Sequence, residues 1–130
     1  SNYLKKQYQN INQKNINAIK SNTFFLLDVI KEKKKFDLIW VDGGHLYPDV
    51  AWDICNAFFL LKKGGFLLCD DVIKSKKFYR SNYVSTESWE VLKYIAERTN
   101  YRITYFLKRM DKKLYSSPYS RKYVAVLEKK

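Results

Sequence analysis

The sequence predicts an α/β fold: a sheet with parallel central strands and one antiparallel strand at its C-terminal end. Three observations predict it. Residues 36–42 (FDLIWVD) and 66–71 (FLLCDD) are near-continuous apolar runs that end on acids, as parallel strands covered on both faces do. Between them Val50, Ile54, Phe58 and Leu61 recur at spacings of four, four and three, which lays one helix face on a sheet. The last two extended segments follow each other with no helix between them, so the final strand must reverse direction.

The elements follow in order. Residues 3–13 place Leu4, Tyr8 and Ile11 on one helix face, and residues 15–20 alternate, with Ile16, Ala18 and Ile19 in a short strand. Asn22 or Thr23 caps a helix through Phe25, Leu26, Val29 and Ile30 to a lysine cluster. After the strand at 36–42, Pro48 pre-sets the first turn of the next helix, and Gly64 and Gly65 stop it. The strand at 66–71 leads into a basic, aromatic loop at 72–84. Ser85 or Thr86 then caps a helix with Trp89, Leu92 and Ile95 facing inward. Residues 101–108 and 122–128 are the closing strands, with a polar loop containing Pro118 between them. The order α-β-α-β-α-β-α-β-β fills one domain, residues 1–130, without repeats or disordered linkers.

A chain of 130 residues with 46% hydrophobic content supports one packed core. No apolar run approaches the roughly 20 residues of a membrane span, and no N-terminal apolar segment suggests a signal peptide. Cys55 and Cys69 lie inside apolar runs and are expected to be free, buried thiols, which fits a cytoplasmic location. The chain starts at Ser1 and its only methionine is Met110, so it is expected to begin after processing, at an expression boundary or partway through a larger protein. The net charge of +12 concentrates at 31–35, 74–80 and 108–113. A solvated surface explains it, and so does a nucleic-acid, anionic-lipid or phosphorylated partner. No RNA-binding, zinc-finger or helix-turn-helix signature accompanies it.

Three acids carry the candidate chemistry. Asp42 ends one central strand, and Asp70 and Asp71 end the next, the side of an open α/β sheet where ligands bind. Clustered carboxylates suit Mg²⁺ or Mn²⁺; equally, they can cap the loops and helices that follow. His45, the only histidine, lies three residues after Asp42. It can serve as general base to a bound hydroxyl, or simply hydrogen-bond the Gly43–Gly44 turn or a strand-end carboxylate. No P-loop, dinucleotide glycine motif or nucleophile-elbow motif is present.

Residues 36–71 nevertheless resemble a family of class I, Rossmann-like methyltransferases with the pattern D-G-G-H-x-Y-x-x-V-x-x-D, then L-L-K-x-G-G and D-D. The matching residues are Phe36, Asp37, Asp42, Gly43, Gly44, His45, Tyr47, Val50, Asp53, Leu60, Leu61, Lys62, Gly64, Gly65, Asp70 and Asp71. The resemblance implies transfer of a methyl group from S-adenosylmethionine to a hydroxyl of a small molecule or sugar. In related metal-dependent O-methyltransferases acting on catechols and sugars, ligands stand at the ends of the same two strands. That likeness implies Asp42, Asp70 and Asp71 as ligands of Mg²⁺ or Mn²⁺, with His45 as catalytic base. It also implies that Asp42 and Gly43, together with Ser21 and Asn22 at the adenine edge, contact the cofactor. The basic loop at 72–84 would cover an anionic or sugar acceptor.

The departure from the family is as informative. Its members begin with a strand ending in a glycine-rich turn, then a strand ending in a ribose-binding acid. Nothing before Phe36 supplies either. The chain is therefore expected to be the C-terminal part of the domain with the first strands absent, inactive in isolation and weak in cofactor binding. A preceding segment or a second copy would cover the open edge of residues 36–42. The alternative reading is a non-catalytic methyltransferase-like module that binds or assembles through its basic surface.

Overall fold

A computed structural model describes residues 19–31, 36–74, 86–108 and 121–130. A 3₁₀ turn, Thr23–Phe25, leads into a short helix α1 (Leu26–Val29). Strand β1 (Phe36–Val41), helix α2 (Asp49–Leu60), strand β2 (Leu61–Ile73) and helix α3 (Glu87–Thr99) follow, and strands β3 (Ile103–Leu107) and β4 (Lys122–Glu128) close the chain. The sheet order is β1-β2-β4-β3. β1 runs parallel to β2, while β4 runs antiparallel to both β2 and β3. The reversed strand is thus the C-terminal one, as the missing helix before it required. Expectations for residues 3–13 lie outside the described residues, as do those for 15–18; Ile19 and Lys20 are irregular rather than extended.

The core forms where α2 and α3 pack on one face of the sheet. Val50, Ile54 and Ala57 from α2 meet Val91, Leu92 and Ile95 from α3 over Leu67, Cys69, Ala125 and Leu127. Val50, Ile54, Leu92 and Ile95 are positions that the amphipathic period picks out, Phe58 and Trp89 pack partly buried against this core, and Leu61 opens β2 instead of ending the helix. The opposite face differs from expectation. Leu38 pairs with Phe66 and Trp40 with Leu68, so these residues share a face. Leu38, Trp40 and Phe66 are 59%, 50% and 42% exposed. Among the described residues only one face of the sheet is covered, and β1 is an edge.

The glycine pair also departs from expectation. Helix α2 ends at Leu60, and β2 begins at Leu61 and runs through Gly64 and Gly65. These glycines serve sheet irregularity, not a helix cap. Pairing jumps from Phe36↔Leu61 to Leu38↔Phe66, and Gly64 absorbs the detour at φ +78°. A Cβ on Gly65 would stand 2.9 Å from the Asp37 carbonyl oxygen, too close for any other residue. The C-terminus of α3 is conventional: Asn100 adopts the left-handed conformation and the Tyr101 N–H returns to the Ala96 carbonyl.

Candidate active site at the strand ends

The parallel register sets the site. Val41 pairs with Cys69, so Asp42, the next residue, stands level with Asp70 on the neighbouring strand. Asp70 and Asp71 occupy a β-bulge, because three steps along β2 (Cys69 to Val72) match two along β4 (Ala125 to Tyr123). The extra residue forces Asp71 to φ +52°. Aspartate tolerates this conformation better than most residues.

The bulge hands both carboxylates to lysines. Lys108 Nζ donates to Asp70 Oδ2 at 2.7 Å and to Asp71 Oδ1 at 3.0 Å, and Lys122 Nζ donates to Asp71 Oδ2 at 2.5 Å. Asp70 Oδ1 accepts from the Asp71 N–H at 2.7 Å. Burial tends to raise the Asp71 carboxyl, but hydrogen bonds from Lys122 and Lys108 and their charges outweigh it and hold it below the usual range. The bond to Asp70 chiefly raises Lys108. Every oxygen of the acid pair has a donor, so the arrangement does not fit a divalent cation. Asp42 is exposed, and no three metal-ligating side chains converge among the described residues. The expected Mg²⁺ or Mn²⁺ centre at Asp42, Asp70 and Asp71 therefore finds no support in the geometry.

A second constellation lies where β1 turns into α2. The loop 42–48 carries Asp42, Gly43 and half-buried His45. Tyr47 anchors it to α3, its N–H donating to the Glu87 carboxylate and its hydroxyl lying 3.4 Å from Glu90 Oε2. Burial, followed by the Glu90 charge and hydrogen bond and the Glu87 charge, pushes the Tyr47 hydroxyl upward. Beneath the loop is a cavity of about 180 Å³ whose lining includes Thr23, Trp40, Asp42, Gly43 and Asp53. Asp53 is only 7% exposed, and its Oδ1 has no hydrogen-bond partner. Burial raises its carboxyl, against a lowering hydrogen bond with Thr23, and nearby Asp49 adds to the rise. A Cβ on Gly43 would collide with this carboxylate, so glycine is the residue that lets the acid sit there.

A sequence profile of a family described as a methyltransferase domain matches residues 2–72. This is more than half of the chain. The chain belongs to that methyltransferase family. No curated protein matches it significantly. The family match takes in Asp42, Gly43, His45, Asp53, Asp70 and Asp71 and stops before Lys108 and Lys122. The acids are thus within the methyltransferase match, and the lysines that neutralise them are outside it.

The other anticipated site residues fall as follows in the methyltransferase domain. Asn22 Oδ1 accepts the Phe24 N–H at 3.0 Å, capping the 3₁₀ turn, and Ser21 Oγ donates to the Asn22 carbonyl at 3.2 Å. Both shape the turn that brings Thr23 to the cavity, and Asn56 Nδ2 ties that turn to α2 through the Thr23 carbonyl at 2.9 Å. Val72 and Ile73 belong to β2 and are buried, so the loop expected at 72–84 starts later. Lys74 lies 4.8 Å over the Tyr105 ring, and residues 75–84 are outside the described residues. Cys69 is buried as expected, but Cys55 is exposed. No helix among the described residues is long and apolar enough to cross a membrane.

Sequence reasoning named Asp53 only as a motif match. The signal for its role was available: an acid three residues after Val50, on the apolar face of a helix, is either paired or functional. The pairing of Lys108 and Lys122 with the acids gave no signal, because their partners lie 37 to 51 residues away.

Proposed function

We propose that this methyltransferase domain transfers the methyl group of S-adenosylmethionine to a hydroxyl of a small molecule or sugar. The observation that carries the reading is the cavity at the C-terminal end of β1, lined by Asp53, a buried acid with one carboxylate oxygen that lacks a donor. A buried unpaired acceptor costs about 1–3 kcal/mol, and a ligand amino group would offset that. The adenine end of the cofactor has such a group and a flat apolar ring. Asp53 would accept its amino hydrogens, Thr23, Leu26 and Ile39 would wall the ring, and Gly43 leaves room beside Asp42. When bound, the cofactor supplies an electrophilic methyl carbon on a sulfonium.

The chain's own residues do the remaining work. His45, in the same loop as Asp42 and Gly43, takes the proton of the acceptor hydroxyl. Tyr47, held by Glu87 and Glu90, fixes that loop against α3, and such positioning is a large part of catalysis in group transfer. No step is assigned to a metal ion.

Saturation-transfer NMR on the full 130-residue chain tests the reading, because it detects weak as well as tight ligands. With millimolar S-adenosylmethionine, the adenine H2 and H8 protons should saturate most strongly, and Asp53→Asn should weaken the effect at least several-fold. Absence of transfer would favour the non-catalytic module. Transfer untouched by Asp53→Asn would place the cofactor elsewhere.

A further inference from the structure

We infer that Lys108 and Lys122 stand in for a divalent cation at the Asp70–Asp71 bulge, so that this acid pair is neutralised from within the chain and takes no Mg²⁺ or Mn²⁺. Two ammonium groups balance two carboxylates. All four oxygens are engaged: three by the lysines and the fourth by the Asp71 N–H. Lys108 bridges the two acids, as a shared metal would.

The backbone builds this arrangement. Lys108 directly follows β3, Lys122 opens β4, and the Lys108 N–H donates to the Lys122 carbonyl at 2.9 Å. The two cations are therefore delivered side by side by paired strands. Facing them, the bulge turns Asp71 into its left-handed conformation between Cys69 and Val72. The carboxylates are little exposed, with side-chain accessibilities of 9% for Asp70 and 19% for Asp71, and the Lys122 side chain is at 20%. A metal ion arriving here must eject two ammonium groups and repel them afterwards, since like charges a few ångströms apart in a partly buried site interact strongly. Mg²⁺ also holds its own water tightly and seldom gives it up for carboxylates that already have partners. The clamp stands or falls independently of which acceptor is methylated.

Titration of the full chain with Mn²⁺, read by the loss of the free-ion EPR signal, is the direct test. The wild-type chain should leave the signal unchanged up to about 1 mM Mn²⁺, and its melting temperature should be the same in EDTA and in millimolar Mg²⁺. Lys122→Met frees one oxygen of Asp71, and Lys108→Met frees oxygens on both acids. Either should bring Mn²⁺ binding at least tenfold tighter than wild type, accompanied by a metal-dependent rise in melting temperature. Binding by the wild-type chain that Asp71→Asn abolishes would overturn the inference, with no need for any lysine variant to fold. Folded lysine variants that remain blind to Mn²⁺ would overturn it as well, since the lysines would not then be filling a cation's place.

Discussion

Replacing Asp53 by asparagine keeps the shape of the side chain and removes its charge. Asp53 is 7% exposed, one of its oxygens has no partner, and burial raises its carboxyl above the unfolded value. A raised carboxyl contributes stability that is complete below the unfolded pKa of about 3.9 and is lost as pH rises through the folded value. At pH 7 the ionised group is therefore a liability of the ligand-free fold. The amide mimics the protonated acid and should stabilise that state by about 1 kcal/mol, the lower end of the cost of an unsatisfied buried acceptor. For a domain of this size that is a rise of roughly 3–6 °C in melting temperature. The same change removes a charge-assisted acceptor worth about 1.5–3 kcal/mol, so S-adenosylmethionine should bind roughly ten- to hundredfold more weakly. Thermal melts at pH 7 and ligand titration of both proteins read the two effects. An acid kept for structure would show the opposite pattern: a lower melting temperature and unchanged binding.

Gly43→Ala should destabilise the fold by about 1–3 kcal/mol, because its methyl meets the Asp53 carboxylate; urea unfolding reads this, and a neutral result would remove the close approach. Leu67, fully buried beneath both helices, should cost about 2–5 kcal/mol when cut to alanine, and a smaller loss would mean that the core is looser than described. The depressed carboxyl of Asp71 contributes stability that is present above about pH 3.9 and disappears as pH falls through its folded value. Asp71→Asn should therefore lower stability at pH 7 and flatten the acid limb of a stability–pH curve, and a parallel limb would exclude the lysine contacts. Burial, aided by the Asp53 charge, pushes the Cys69 thiol up to about 12, while Cys55 is exposed. Iodoacetamide should then alkylate Cys55 alone in the native chain, as peptide mass spectrometry would show, and Cys69 only after denaturation.

Much of the architecture was legible because it rests on local pattern. The runs at 36–42 and 66–71 announced their strands, the four-residue spacing of Val50, Ile54 and Phe58 announced α2 although Leu61, counted with it, opens β2, and the absence of a helix before the last strand announced its reversal. What escaped depends on tertiary contact. Gly64 and Gly65 read as a helix stop but relieve a mismatch between β1 and β2, a property of two strands together. The near-continuous apolar run of β1 suggested cover on both faces, yet composition cannot say which partner arrives, and Leu38 and Trp40 are half-exposed. At the site, the strand-end acids were visible as residues, and their chemistry was not. Asp70 and Asp71 look the same in sequence whether they face a metal ion or two lysines, and the lysines come from strands that only the fold brings alongside.

Chemical-shift mapping of the ¹⁵N-labelled chain with S-adenosylhomocysteine tests most directly whether the cavity beneath loop 42–48 holds the cofactor. The largest shifts should fall on the amides of Thr23, Asp42, Gly43 and Asp53, which line that cavity, and should collapse in Asp53→Asn. Shifts centred on the exposed outer side of α3, or none at saturating ligand, would contradict it.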